Sequence, residues 1–206
     1  MLRGRKGACP LQEGTTPPSC RGLSPGRPRQ RGPHLEITDF FLGNALNAVD
    51  AKGRVSLPAD FRAVVERRGR AAVRAGQEAT DKSFVYIGDH ERHSCLQAYD
   101  STYQQFLFEG LRKRVEKAGE DELAALDDAQ QGAFGAMLTV AFDGAGRMVL
   151  PQSLRGLMGI GELAFFIGAG QTFQIWDPKT FLAEQADNVR ACRMLRYMLS
   201  EKGITL

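Results

Sequence analysis

The sequence writes one phrase twice. Residues 49–62 read VDAKGRVSLPADFR, and residues 142–155 read FDGAGRMVLPQSLR. At a spacing of 93 residues, six positions are identical: Asp50/Asp143, Gly53/Gly146, Arg54/Arg147, Leu57/Leu150, Pro58/Pro151 and Arg62/Arg155. The likeness continues beyond the phrase. FVYIG at 84–88 parallels AFFIG at 164–168, and LQAYD at 96–100 parallels FQIWD at 173–177. Three matched blocks in one order imply a duplicated unit, since chance similarity does not preserve order. Any fold for this chain must hold the same unit twice.

Each copy is predicted to use the same parts. Leu46 and Ala48 before the phrase, and Val55 and Leu57 after it, show the period-two alternation of strands with one buried face. Between them, Asp50-Ala51-Lys52-Gly53 places Asp and Gly where a type I turn wants them, and the glycine can take a positive φ and close a hairpin through a bulge. Asp143-Gly144-Ala145-Gly146 suits the same turn. Pro58 and Pro151 suit the first position of a helix. Apolar faces follow: Phe61, Val64 and Val65 in one copy, Leu154, Leu157 and Met158 in the other. After two further strands, each copy has a helix signal. One helix is expected from an Asp100 cap toward Arg114. The other is expected from Asp177-Pro178 to about Lys202, with Leu182, Val189, Cys192, Leu195 and Leu199 as its apolar stripe. EDELAALDDAQQGAFGAML predicts a helix between the copies, ending near Gly132–Gly135, and RRGRAAVRAGQEATDK (67–82) reads as a long inserted loop.

Charge is unevenly distributed. Residues 1–35 hold seven of the 27 basic residues and one of the 24 acidic ones, leaving 20 basic against 23 acidic, a net of −3, in the remainder. Residues 1–36 are rich in Pro, Gly and Arg and poor in large apolar residues, so they are predicted to be a disordered basic leader. Any nucleic-acid affinity of the rest must come from a local basic patch. No apolar run is long enough to span a bilayer, and MLRGRKGACPLQEG lacks the apolar core of a secretory signal. Four cysteines without a CxxC pair fit a reducing compartment better than a disulfide framework.

The repeated turn is the strongest candidate site. An Asp and an Arg four apart across a tight turn lie close enough for the carboxylate to orient the guanidinium. The competing account is a purely structural hairpin, since DxxGR is common turn chemistry. One difference between the copies bears on this: Lys52 stands beside Arg54, whereas Ala145 stands beside Arg147. Two cations at a loop tip make the first copy the better phosphate contact, and Arg54 can also read a guanine edge. The other candidate is DHERHSC (89–95), where His90, His93 and Cys95 approach metal-ligand spacing and Asp89 or Glu91 could add oxygen. It lacks an evident fourth ligand, and a polar loop between strands is the expected reading. No nucleophile elbow, phosphate-binding loop or cysteine with a placed base is present. Neither an enzymatic activity nor a cofactor or metal is expected.

FLGNALNAVDAKGRVSLPADFR, FDGAGRMVLPQSLR and FQIWDPKTF together resemble the MraZ family over about residues 40–200. The resemblance implies an α+β, mainly β fold of two tandem AbrB-like swapped-hairpin units forming a pseudo-dimeric barrel with packed helices. On that pattern, domain one spans 44–102, a helical connector 103–136, domain two 137–180 and a C-terminal helix 181–206. It further implies a transcriptional regulator, expected to be a repressor of the division and cell wall gene cluster. Such a protein binds double-stranded DNA at direct repeats in its own promoter, assembles as a homo-oligomeric ring, and sits in the cytoplasm at the nucleoid. DNA contact is carried over to Lys52, Arg54 and Arg147, and turn positioning to Asp50, Gly53, Asp143 and Gly146. The rival reading is an AbrB-type antitoxin or partner-binding module.

Overall fold

The computed structural model describes residues 39–76, 83–118 and 122–205. The leader at 1–36 and the end of the insertion at 77–82 lie outside the described residues.

Fourteen elements follow in chain order among the described residues. The first copy contributes β1 (Asn44–Ala48), β2 (Arg54–Ser56), α1 (Ala59–Arg74), β3 (Phe84–His90), β4 (His93–Tyr99) and α2 (Ser101–Ala118). Then come α3 (Glu122–Phe134) and the second copy: β5 (Leu138–Ala141), β6 (Arg147–Val149), α4 (Gln152–Leu157), β7 (Leu163–Ala169), β8 (Thr172–Trp176), α5 (Pro178–Glu184) and α6 (Val189–Glu201).

The strands make an antiparallel six-stranded sheet in the order β1-β7-β8-β4-β3-β5, and a separate two-stranded ribbon, β2-β6. Exchanging the copies turns this order into its own reverse, so the strands are arranged about a pseudo-two-fold axis. The axis passes where Gln97 faces Gln174 in the sheet and where Val55 faces Met148 in the ribbon. Every strand of one copy pairs with a strand of the other: β1 with β7, β2 with β6, β3 with β5 and β4 with β8. The six-stranded sheet is open, with β1 and β5 at its edges. The expected closed barrel is therefore not formed by the described strands. After the turn, β1 and β2 diverge toward different partners instead of continuing a hairpin ladder, so no single sheet closes on itself.

The main core lies between the sheet and the ribbon with α1 and α4. It gathers Phe41, Phe61, Val85, Ile87, Phe166, Phe173 and Ile175, among others, from both copies. A second core covers the opposite face of the β1-β7-β8 end, where Phe165, Trp176, Phe181, Cys192, Leu195 and Leu199 pack together. Trp176 and Phe173 are fully buried, as expected of core side chains.

Several sequence expectations are corrected. FVYIG and AFFIG align on their shared Ile-Gly at a spacing of 80, but Leu138 faces Ile87 while its repeat mate Ala45 faces Phe166. The true equivalence is thus one residue shorter, Ile87 with Phe166. A one-residue slip changes the face of every side chain. Phe165 and Ile167 accordingly serve the second core, whereas Val85 and Ile87 serve the main one. Residues 67–74 of the presumed loop continue α1, because Arg68 and Ala72 find buried positions in its register. Pro58 and Pro151 precede their helices by one residue as caps, with φ of −53° and −54° and extended ψ. The expected helix from Pro178 to Lys202 breaks at 185–188. There the Asn188 side chain accepts from the Ala191 N–H and starts α6 afresh. Leu157 and Val189 lie outside the apolar faces assigned to them, 68% and 58% exposed.

Candidate nucleic-acid interface

Both repeated turns close in the same way. The Gly53 N–H donates to the Asp50 carbonyl at 2.8 Å and the Asp50 N–H to the Arg54 carbonyl at 3.0 Å; the second copy repeats these bonds at 2.7 and 3.0 Å. Asp50 Oδ1 accepts from the Lys52 and Arg54 N–H groups at 2.9 and 2.8 Å, while Oδ2 accepts from Arg54 Nε at 2.6 Å. Asp143 does the same with Ala145, Arg147 and Arg147 Nε at 2.9, 2.9 and 2.7 Å. These bonds stabilise the charged carboxylates, chiefly the one from the arginine N–H, and hold both acids below the ordinary aspartate range. A depressed folded-state pKa keeps the clamp intact at neutral pH and loosens it only in acid, as pH falls through the lowered value.

Each carboxylate engages Nε and aims the rest of the guanidinium outward. The arginine side chains are 61% and 70% exposed. Among the described residues, no protein acceptor bonds their terminal nitrogens. The two turns flank a groove of about 550 Å³ that runs over the ribbon between Arg54 and Arg147. Lys52 is exposed in the first turn, at the position where the second turn has the exposed Ala145. All seven residues singled out in the repeated turns therefore stand on one pseudo-symmetric feature. His90, His93 and Cys95 do not join it.

The glycines are fixed by the ribbon. Gly53 and Gly146 have φ of +80° and +81°. The Leu150 N–H donates to the Gly53 carbonyl at 2.9 Å, and the Leu57 N–H donates to the Gly146 carbonyl at 2.7 Å. A Cβ on Gly53 would lie 2.9 Å from the Leu150 oxygen and 3.0 Å from Arg155 Nε; one on Gly146 would meet Leu57 oxygen and Arg62 Nη1 at 2.9 and 3.0 Å. This explains a repeated pair to which sequence reasoning assigned no role: Arg62 and Arg155 each pack under the turn of the other copy. Their exact repetition was the available signal, but nothing in the letters says that the contact crosses copies. Gly53→Ala should lower stability by about 2 kcal/mol, from the positive φ and the lost space. Gly144→Ala, at an open position whose counterpart is already Ala51, should change it by less than about 0.5 kcal/mol. Thermal denaturation of the two variants checks the contrast.

The histidine segment forms the end of the β3-β4 hairpin, as the reading of a polar segment between strands expects. The His90 and His93 rings lie 4.8 Å apart, and His93 Nδ1 is 3.9 Å from Glu184. Cys95 points into the second core, where burial pushes its thiol up to about 12. The described residues include no group of three or more His, Cys, Asp or Glu able to hold a metal. No helix among them is long and apolar enough to cross a membrane.

A family model described as "MraZ protein, putative antitoxin-like" matches residues 133–190. The transcriptional regulator MraZ of Rickettsia canadensis is 37% identical over 144 residues, which cover 69% of this chain and 85% of that protein. Those of Rickettsia akari and Rickettsia rickettsii are 35% identical over the same shares. The chain belongs to the MraZ family. The family match begins near the end of α3 and takes in the whole second copy of the turn, so Asp143, Gly146 and Arg147 lie inside it.

Proposed function

We propose that the chain is a sequence-specific DNA-binding transcriptional regulator without enzymatic activity, acting in the cytoplasm at the nucleoid. One observation carries the reading: two clamped, outward-facing arginines flank a pseudo-two-fold ribbon on an otherwise mildly acidic body. Relatives named transcriptional regulators support it. In this reading the two copies act as a pseudo-dimer whose turn hairpins are exchanged, with Arg54 and Lys52 as the main DNA contacts and Arg147 as a lesser one. Asp50, Gly53, Asp143 and Gly146 position the turns. The target is a set of direct repeats in the chain's own promoter, in front of the division and cell wall genes, and the effect is repression.

Assembly of subunits into a ring accounts for affinity from a small site. Several modest contacts on linked subunits gain avidity when the DNA carries repeated boxes at matching spacing. Each subunit's turns present three cations, Lys52, Arg54 and Arg147, so the specific complex should show a salt dependence set by those contacts, with log K falling by about 0.9 per neutralised phosphate for each tenfold rise in salt.

The test is binding to the upstream duplex across a salt series, with the full chain and with a chain lacking residues 1–36. Among the described residues the buried core begins at Phe41, and the shortened protein should keep its fold and its preference for the upstream region over scrambled DNA. Loss of that preference on truncation would move the site into the leader.

A further inference from the structure

The pseudo-symmetry fails on the outward face of the ribbon. Arg54 lies opposite Val149, and Ser56 lies opposite Arg147. All four are exposed, while Val55 and Met148 between them are buried. Directly opposed residues in an antiparallel pair have Cβ atoms about 5 Å apart. Each end of the ribbon thus offers one clamped arginine and one close neighbour, an isopropyl group at one end and a hydroxyl at the other.

The backbone under these neighbours differs as well. Asn47 Nδ2 donates to the Ser56 carbonyl at 2.7 Å, and the matching residue of the second copy, Val140, has no group to donate. Val149 is 53% exposed beside a charged guanidinium, so it adds little to either core.

We propose that Val149 and Ser56 are specificity-determining residues that give the recognised box its direction. The inference rests on the reading that the turns meet duplex DNA. The major groove, about 12 Å wide, admits a two-stranded ribbon, and thymine is the base that presents a methyl group there. Val149 packs against the 5-methyl of a thymine next to the guanine engaged by Arg54. Ser56 meets a base edge by hydrogen bonding next to the guanine engaged by Arg147, and requires no methyl. A ribbon with valine at both ends would favour a box that reads alike from either side; this one does not.

The test selects boxes from a random duplex pool with the full-length protein, Val149→Ser and Ser56→Val. Uracil, which lacks the methyl, then replaces each thymine of the selected single box in turn. The unaltered protein should lose about fourfold in affinity at one thymine, the worth of one buried methyl. Val149→Ser should lose nothing there, and Ser56→Val should acquire a thymine preference at the mirror position. Both sites are exposed, so melting temperatures should stay within a degree or two of the unaltered protein, given the small effect of surface changes. If the unaltered protein selects a box but the uracil penalty is as large in Val149→Ser, this inference falls and the DNA-binding reading stands. If it selects no sequence at all, both fall.

Discussion

Replacing Arg54 with alanine should weaken binding to the upstream duplex by roughly tenfold to a hundredfold, the range for one bidentate base contact. The fold should survive. The Asp50 carboxylate keeps the N–H groups of residues 52 and 54, at 2.9 and 2.8 Å, when the side chain beyond Cβ is removed. The lost ion pair is a solvent-exposed one, a class that contributes little to stability. Arg147→Ala should cost less, because its turn has Ala145 where the first has Lys52. Gel-shift titration measures the loss, and size-exclusion chromatography checks that the assembly is unaltered. Undiminished binding by Arg54→Ala would remove this residue from the interface.

The largest effect on stability is expected far from the turns. Arg68 is buried on α1, with Nη1 bonded to Asp100 Oδ1 at 2.7 Å and to the Gln171 carbonyl at 2.9 Å. Its Nε and Nη2 reach the Asp39 carbonyl at 2.9 and 2.6 Å, and its guanidinium carbon lies 4.6 Å from the centre of the Phe41 ring. One side chain therefore ties the segment before β1, the β7–β8 turn and the start of α2 to α1. Asp100 also bonds the Thr102 hydroxyl at 2.6 Å at the start of α2. Arg68→Ala leaves that carboxylate buried and unpaired, which should destabilise the protein by about 3–5 kcal/mol. In a chain of this size that lowers the melting temperature by on the order of 10 °C. Adding Asp100→Asn to Arg68→Met should recover much of the loss, since asparagine still caps a helix and no orphan charge remains. A single Arg68→Ala variant that melts with the unaltered protein would show the pair to be dispensable.

Much of the site was legible because its geometry is local. Asp50 to Arg54 is five residues, and the turn, the positive φ at Gly53 and the carboxylate clamp all follow from chemistry within that span. The same holds for Asp177, whose side chain caps α5 through the N–H groups of Lys179 and Thr180 as its position before Pro178 suggests. Arg68 gave no such signal. Read as part of the 67–82 insertion, it passes for a solvated loop side chain until its partners, 29, 32 and 103 residues away, are brought around it.

The repeated letters are enough to require one unit twice, two turns built alike, and arginines clamped by neighbouring acids. Local hydrogen bonding enforces all of these. Which strands meet emerges from the folded molecule, because pairing partners are chosen by burial across long separations. It sent β1 to β7 and β2 to β6, left the sheet open, and slipped β7 by one residue against its letter-matched twin. It also set Arg62 and Arg155 beneath each other's turns, and it placed Val149 beside Arg54, where the likeness of the two copies ends.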